Sequence, residues 1–433
     1  MLGAIGRAFR TPDLRNKLLF TLGVIVLFRL GSFIPAPGID YSQVQTCVAS
    51  PALGQGAFGL INLFSGGALL KLSIFALGIM PYITASIITQ LLRVVIPRFE
   101  ALHKEGASGQ AKLTQYTRYM TIALAILNAT TLVTTVRTGA LFGNVDACMN
   151  LIQNDTWWGI CIIVLTLTAG TALIMWMGEQ ITERGVGNGM SILIFTSVAA
   201  GFPAALNSIL TSKGIDIFAI VLAVGLLVIL AVVFVEQSQR RIPVQYAKRM
   251  VGRRMFGGTS TYIPIKVNQA GVIPVIFASS VLYLPTLISQ FGDPEAGWVQ
   301  WINAHLTRGD HWIYILTYAV LTIFFAYFYV AITFNPEEVA DNMKKYGGFI
   351  PGIRAGRPTE QYLSYVLTRI TFPGSLYLTV VALIPLIALI LIDANQDFPF
   401  GGTSILIVVG VGLETVKQIN SQMQQRHYEG LLR

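Results

Sequence analysis

The sequence predicts an all-α polytopic membrane protein with ten transmembrane helices in two inverted five-helix halves. Three observations carry that reading. Of the 433 residues, 54% are hydrophobic and only 12% are charged, with a mean hydropathy of +0.63, whereas soluble domains carry about 25% charged residues. The apolar residues are gathered in ten blocks, at 18–34, 74–96, 119–136, 157–177, 190–210, 215–235, 270–288, 313–333, 370–392 and 404–419, and a helix needs about 20 such residues to cross hydrocarbon. The pattern Gly-x-x-Pro-x-Ile-x-Ala-Ser occurs twice, as GIMPYITAS at 78–86 and GVIPVIFAS at 271–279, each near the start of the second block of its half. Related segments that cross the bilayer in opposite directions suggest an inverted repeat, and such proteins place their pathways at the seam between the halves.

Charge sets the orientation. With an even number of crossings and both termini inside, 25 of the 30 Lys and Arg residues fall on inner segments, leaving only Arg29, Lys71, Arg137, Lys213 and Arg308 on the outer side or its margins. That is the positive-inside bias. The net charge of +9 is concentrated on the inner face, which attracts anionic headgroups, RNA phosphates or acidic protein surfaces.

The elements follow in chain order. Residues 1–17 form an inner N-terminal segment; no small-residue cleavage site follows the first apolar run, so no removable signal peptide is expected. The first block (18–34) opens a first half at 18–212 and is short, interrupted by Arg29. The outer loop at 36–71 is Gly-rich and nearly uncharged, and its later part, GLINLFSGGALL at 59–70, is too short to cross. Apolar pieces of that length are re-entrant or buried, since open backbone at membrane depth must be covered by protein or line a wet cavity. Gly66-Gly67 would hinge it. Cys47 and Cys148 fall in outer loops, where either a bridge or two free thiols is possible, and Cys161 lies within a span. Pro81 and Pro274 are expected to bend their helices a few residues in. The run GVGNG at 185–189 reads as a flexible helix start with Asn188 near the cap, because a membrane helix precedes it rather than the strand a phosphate loop requires.

The second half (213–420) holds two long inner loops, at about 236–268 and 334–369, before an inner tail at 421–433. The first carries the basic pairs Arg240-Arg241, Lys248-Arg249 and Arg253-Arg254; the second carries Lys344, Lys345, Arg354 and Arg357.

Catalytic signatures are weak. No P-loop lysine, H-E-x-x-H or C-x-x-C motif occurs, GASG at 106–109 lies in a polar inner loop, and none of His103, His305, His311 and His427 is in the middle of a span. No catalytic residue, metal ligand or cofactor is assigned. The alternative class is an inverted-repeat secondary transporter for a small solute, which needs ionisable coupling groups at the midplane. Arg29, Arg137, Glu414 and Lys417 all lie toward span ends, and Gln90, Asn128 and Asn335 are the amides in or beside spans. A passive path gated by apolar side chains fits better.

Six segments carry a resemblance: NLFSGGAL (62–69), SIFALGIMPYITASIITQLL (73–92), GEQITERGVGNGMSILIF (178–195), KVNQAGVIPVIFASS (266–280), FNPEEVADNMKKYGGFIPGIRAG (334–356) and GGTSILIVVGV (401–411). In sequence and order they resemble the SecY family of protein-conducting channels. The resemblance implies a central pore between halves that open sideways to lipid, and a plug at about 57–70 that includes Asn62, Leu63, Phe64, Ser65, Gly66 and Gly67. It implies a pore ring of Ile79, Ile83, Met190, Ile194, Ile276 and Ile407, where Met190 departs from the branched residue common at that place. It implies a lateral gate of the second, third, seventh and eighth spans, with Gln90 and Asn188 as polar gate positions beside Pro81 and Pro274. The basic residues of the two inner loops, Arg354 above all, would dock a ribosome or the motor ATPase SecA. The implied partners also include the SecE and SecG subunits, secretory polypeptides and membrane lipids, in a bacterial plasma membrane.

Overall fold

Each of the ten apolar blocks lies largely on a helix in the computed structural model, which describes residues 11–48, 65–137, 151–152, 156–246, 249–251, 254–256, 260–290, 296–307, 311–392 and 402–429. The helices are Pro12–Gly31, Met80–Val95, Ala107–Arg137, Trp157–Arg184, Gly189–Gln237, Ile273–Gln290, Trp312–Thr333, Arg357–Ile392 and Gly402–Glu429. Gly189–Gln237 holds both the fifth and the sixth block. Gly214 breaks it, with φ 85° and ψ 175°, a backbone state that side-chain-bearing residues avoid.

Among the described residues five helices are long and apolar enough by themselves to cross a membrane: Ala107–Arg137, Trp157–Arg184, Gly214–Gln237, Trp312–Lys345 and Arg357–Ile384. Met80–Arg93 with Pro97–Lys104 passes as a pair bent by 96°. The bend is at Ile96, which is extended (φ −106°, ψ 112°) because Pro97 excludes it from the helical region. Gly189–Pro203 and Ile273–Leu282, on the fifth and seventh spans, are shorter apolar helices.

The outer surface is apolar. Leu227 and Phe234 of the sixth span, Phe324 of the eighth and Phe372 of the ninth are all more than half exposed. In water such a surface would drive association; against acyl chains it is the ordinary exterior. Trp157, Trp158, Trp298, Trp301 and Trp312 are exposed near span ends on the expected outer side, where indole rings bridge headgroups and hydrocarbon.

Helices in lipid gain little from hydrophobicity when they associate, so close packing and polar pairs matter more. At Gly170 of the fourth span a side chain would come within 2.1 Å of the Ile74 carbonyl oxygen, so the two backbones touch there. Arg118 of the third span grips Glu179 of the fourth with two prongs, Nε to Oε1 at 2.8 Å and Nη2 to Oε2 at 2.9 Å. One apolar cluster serves the outer part of the first half (Val44, Leu132, Ile163, Leu167) and another the second half (Val232, Val275, Leu378, Leu406). A third lies between the halves and holds the site. Cys47 is buried and disulfide-bonded; Cys161 is a free thiol, and Cys148 lies outside the described residues.

The two long inner loops are not plain coil. Strand β1 (Gln239–Tyr246) pairs antiparallel with a strand from its own loop (Ser260–Lys266), and with a two-residue strand (Gly348–Phe349) from the loop after the eighth span. The register sets Ile242 opposite Ile263 and Gln245 opposite Phe349. A separate small ladder joins Arg249–Val251 to Arg254–Phe256. The sequence reading assigned no strand here.

Candidate functional site

The twin motifs begin alike. Gly78 and Gly271 both take left-handed backbone, with φ 56° and 63°, and the helices start two residues later, at Met80 and Ile273. Pro81 and Pro274 are therefore each the second helical residue. The expectation that they bend their helices is corrected: in the first turn no intrahelical partner awaits the N–H, and the fixed φ of proline suits the helix start. Both prolines are buried. The second span is also shorter than its apolar block. Residues 66–79 run as successive turns, closed by hydrogen bonds from Leu72 N–H to the Leu69 carbonyl, Ala76 N–H to Ser73 and Gly78 N–H to Phe75.

These turns deliver Ile79 and Ile83 to the middle of the molecule. Ile79, Met190, Ile194, Ile276 and Ile407, from the second, fifth, seventh and tenth spans, are buried in one apolar cluster, and Ile83 packs against its edge. The structure thus brings all six expected ring residues together. Met190 has room because its neighbours on the fourth span are bare. A side chain at Gly178 would lie 2.5 Å from the Met190 sulfur, and one at Gly189 would lie 1.9 Å from the Gly178 carbonyl oxygen. Asn188 caps the fifth span, its Oδ1 accepting from the Met190 N–H at 3.1 Å and the Ser191 N–H at 3.4 Å.

A cavity of about 520 Å³ opens on this cluster. Ile83, Met190, Ile194, Ile276 and Ile407 form its apolar part, while Gln90, Asn188, Glu236, Asn268, Glu414 and Lys417 supply polar walls. Asn268 ties the wall together, its Nδ2 donating to Glu236 Oε1 at 2.6 Å and to the Gly271 carbonyl at 3.2 Å. Gln90 Nε2 stands 3.5 Å from Ser86 Oγ on its own helix.

A second cavity, of about 300 Å³, lies between the second, third, seventh and eighth spans, lined by Ile87, Leu91, Leu124, Phe277, Val281 and Phe325 among others. None of Gln90, Asn188, Pro81 and Pro274 lines it; the first two line the central cavity instead. The crevice does contain Asn128 and the hydroxyls of Thr84, Thr131, Thr135 and Ser280. These hydroxyls are hard to read from sequence because all four donate to carbonyls of their own helices, as Thr84 does to Met80 at 3.0 Å and Ser280 to Ile276 at 2.8 Å.

Of the expected plug residues, Asn62, Leu63 and Phe64 lie outside the described residues. Ser65 is buried, with its Oγ accepting from the Leu69 N–H at 3.0 Å. Gly66 and Gly67 are left-handed, with φ 67° and 83°. Gly66 is pressed against the fifth span, where a side chain would meet the Ser197 Cα at 3.1 Å. Arg29 of the first span donates to the Gly66 carbonyl at 3.1 Å.

On the expected inner face the sheet gathers the basic residues. Arg240 and Arg241 are exposed on β1, and the Arg241 guanidinium lies over the Tyr262 ring, 4.9 Å from its centroid. Lys344 and Lys345 are exposed in the last turn of Pro336–Lys345, where cations favour the helix dipole. Arg354 and Arg357 are exposed on either side of left-handed Gly356 (φ 102°). Arg249 and Arg254 lie on the small ladder, and Lys248 and Arg253 lie outside the described residues. Ile242, Val244 and Ile265 pack with Met343, Ile350 and Leu363, which fixes both loops to one core. Among the described residues no group of His, Cys, Asp and Glu is placed to hold a metal.

A bundle of apolar helices with an apolar waist, a polar vestibule and a crevice between helices has the parts of a gated membrane channel. The SecY family profile matches residues 73–416. Curated relatives named protein translocase subunit SecY are 65% identical in Streptomyces galbus, over 438 residues and all of both chains, and 57% identical in Mycobacterium bovis, over 443 residues and all of both chains. A solved protein-conducting channel matches the fold with a TM-score of 0.63 at 19% identity, covering 94% of this chain and 92% of that one. A second, described through a plug domain that stabilises its closed state, matches with a TM-score of 0.61 at 19% identity and the same coverage. The chain belongs to the SecY family.

Proposed function

We propose that the chain passes unfolded secretory polypeptides across a bacterial plasma membrane and releases sufficiently apolar segments sideways into lipid. The carrying observation is the convergence of Ile79, Ile83, Met190, Ile194, Ile276 and Ile407 from four spans in one apolar cluster, with all but Ile79 lining one cavity. Narrow apolar constrictions exclude water and ions by dewetting, yet they present no fixed charge that would hold a passing chain. The segment at about 57–70 closes the outer side as a plug. Segments leave through the crevice of the second, third, seventh and eighth spans, because each Leu, Ile, Phe or Val favours lipid by about 0.3–0.6 kcal/mol.

Both termini are on the cytosolic side, and the two halves, 18–212 and 213–420, rock apart to open the path. Arg240, Arg241, Lys248, Arg249, Arg253, Arg254, Lys344, Lys345, Arg354 and Arg357 dock SecA or a ribosome, whose RNA phosphates give a salt-sensitive attraction without base reading. SecE and SecG complete the assembly. The reading assigns no catalysis and no cofactor to the chain, so the partner supplies the energy. Photo-crosslinking from positions 83 and 276 tests it: both should capture a stalled secretory polypeptide, and capture from neither would remove the pore assignment.

A further inference from the structure

The expected outer end of the first span holds two cations without a carboxylate partner among the described residues. Besides its bond to Gly66, Arg29 lies over Phe33, its guanidinium carbon 5.4 Å from the ring centroid. The Lys71 ammonium lies 3.9 Å from the centroid of the same ring. Neither residue belongs to any ion pair among the described residues. Partial burial and the Arg29 charge together hold the Lys71 ammonium below its ordinary range. A phenyl face attracts cations but carries no net charge, so an anion at this place would relieve the repulsion.

The surroundings say which anion. Val26 and Leu30, exposed by 57 and 58%, lie on one face of the first helix with Arg29 beside them, and Phe33, 50% exposed, follows in the turn just past its end. A soluble anion would have to leave water for this apolar rim. A phospholipid brings its phosphate to the level of the headgroups and its chains alongside these side chains.

We propose that Arg29 and Lys71 hold the phosphate of an anionic phospholipid, with its acyl chains against Val26, Leu30 and Phe33. Only the assignment to the outer leaflet rests on the orientation proposed above. The guanidinium has five N–H donors, so Arg29 can serve the phosphate and the Gly66 carbonyl together. A bound headgroup then steadies the side chain that holds the glycine hinge of the re-entrant segment.

The test uses the full chain with its native partner subunits in phosphatidylcholine nanodiscs doped with photoactivatable phosphatidylglycerol or, separately, photoactivatable phosphatidylcholine. Phosphatidylglycerol should label residues 26–36 or 66–72, phosphatidylcholine should label them severalfold less, and Arg29→Gln or Lys71→Gln should each lower labelling about fivefold, the worth of one interfacial cation. Lys71→Gln lies outside the helix and so reports even where Arg29→Gln fails to fold. Equal labelling by the two lipids, or unchanged labelling of Lys71→Gln, would overturn the site. Loss of labelling on adding millimolar inorganic phosphate would reassign it to a soluble anion, and carbodiimide coupling of Lys71 to a partner subunit would reassign it to a protein carboxylate. Polypeptide passage through Lys71→Gln in proteoliposomes is expected to persist, so a failed lipid site and a failed channel give different results.

Discussion

Gly178 and Gly189 show how residues outside the proposed ring would set its shape. A methyl group at Gly189 would collide with the Gly178 carbonyl, which is backbone and cannot step aside, whereas one at Gly178 would strike the end of the flexible Met190 side chain. The two substitutions should therefore differ in kind. Gly189→Ala is expected to lower thermal stability by about 1–3 kcal/mol, as overpacking does. Gly178→Ala should leave folding intact and press Met190 toward the ring, lowering single-channel conductance in planar bilayers, and Met190→Ala added to it should restore the conductance. Unrestored conductance would mean that the two residues do not act on one another. The ring itself illustrates what one sequence does not reveal at this scale. A buried Ile194 and a lipid-facing Leu227 share their chemistry; only the resemblance distinguished the six ring positions, through the motifs around them.

At the scale of elements, the twin prolines give a clear expectation. Because Pro81 and Pro274 occupy first turns, Pro81→Ala and Pro274→Ala should each change stability by no more than about 1 kcal/mol, in contrast to the ~3 kcal/mol or more of a proline lodged in a helix interior. A large loss on chemical denaturation would restore the bent-helix view. The inner sheet carries a second expectation. Arg354 opens a turn held by Thr359, whose Oγ1 donates to the Arg354 carbonyl at 2.9 Å, and its side chain is exposed. Arg354→Glu should thus spare assembly in the membrane while weakening motor-driven translocation in vesicles, more so at low salt. Helix positions were legible from apolar blocks, but two features were not. Hydropathy measures transfer into lipid rather than backbone hydrogen bonding, so the apolar turns at 74–79 read as part of the second span. In QRRIPVQY (239–246), charge and proline mask the alternation of Ile242 and Val244, and Gln245 finds Phe349 about a hundred residues away.

For the whole molecule, the break at Gly214 is the natural place to divide the chain. Gly214 is exposed, and nothing lies within 4 Å of where its side chain would be. Residues 1–213 and 214–433, produced together as separate polypeptides, should copurify and support translocation; fragments that fail to associate would argue against two self-contained halves. The waist has no hoop of its own. If the six side chains form the proposed ring, they are carried by four separately anchored spans, and the bore would depend on the posture of the two lobes and not on any rigid collar. On that proposal, whatever tilts one lobe against the other would stretch the gasket, and a small molecule wedged far from all six residues would make the membrane leak.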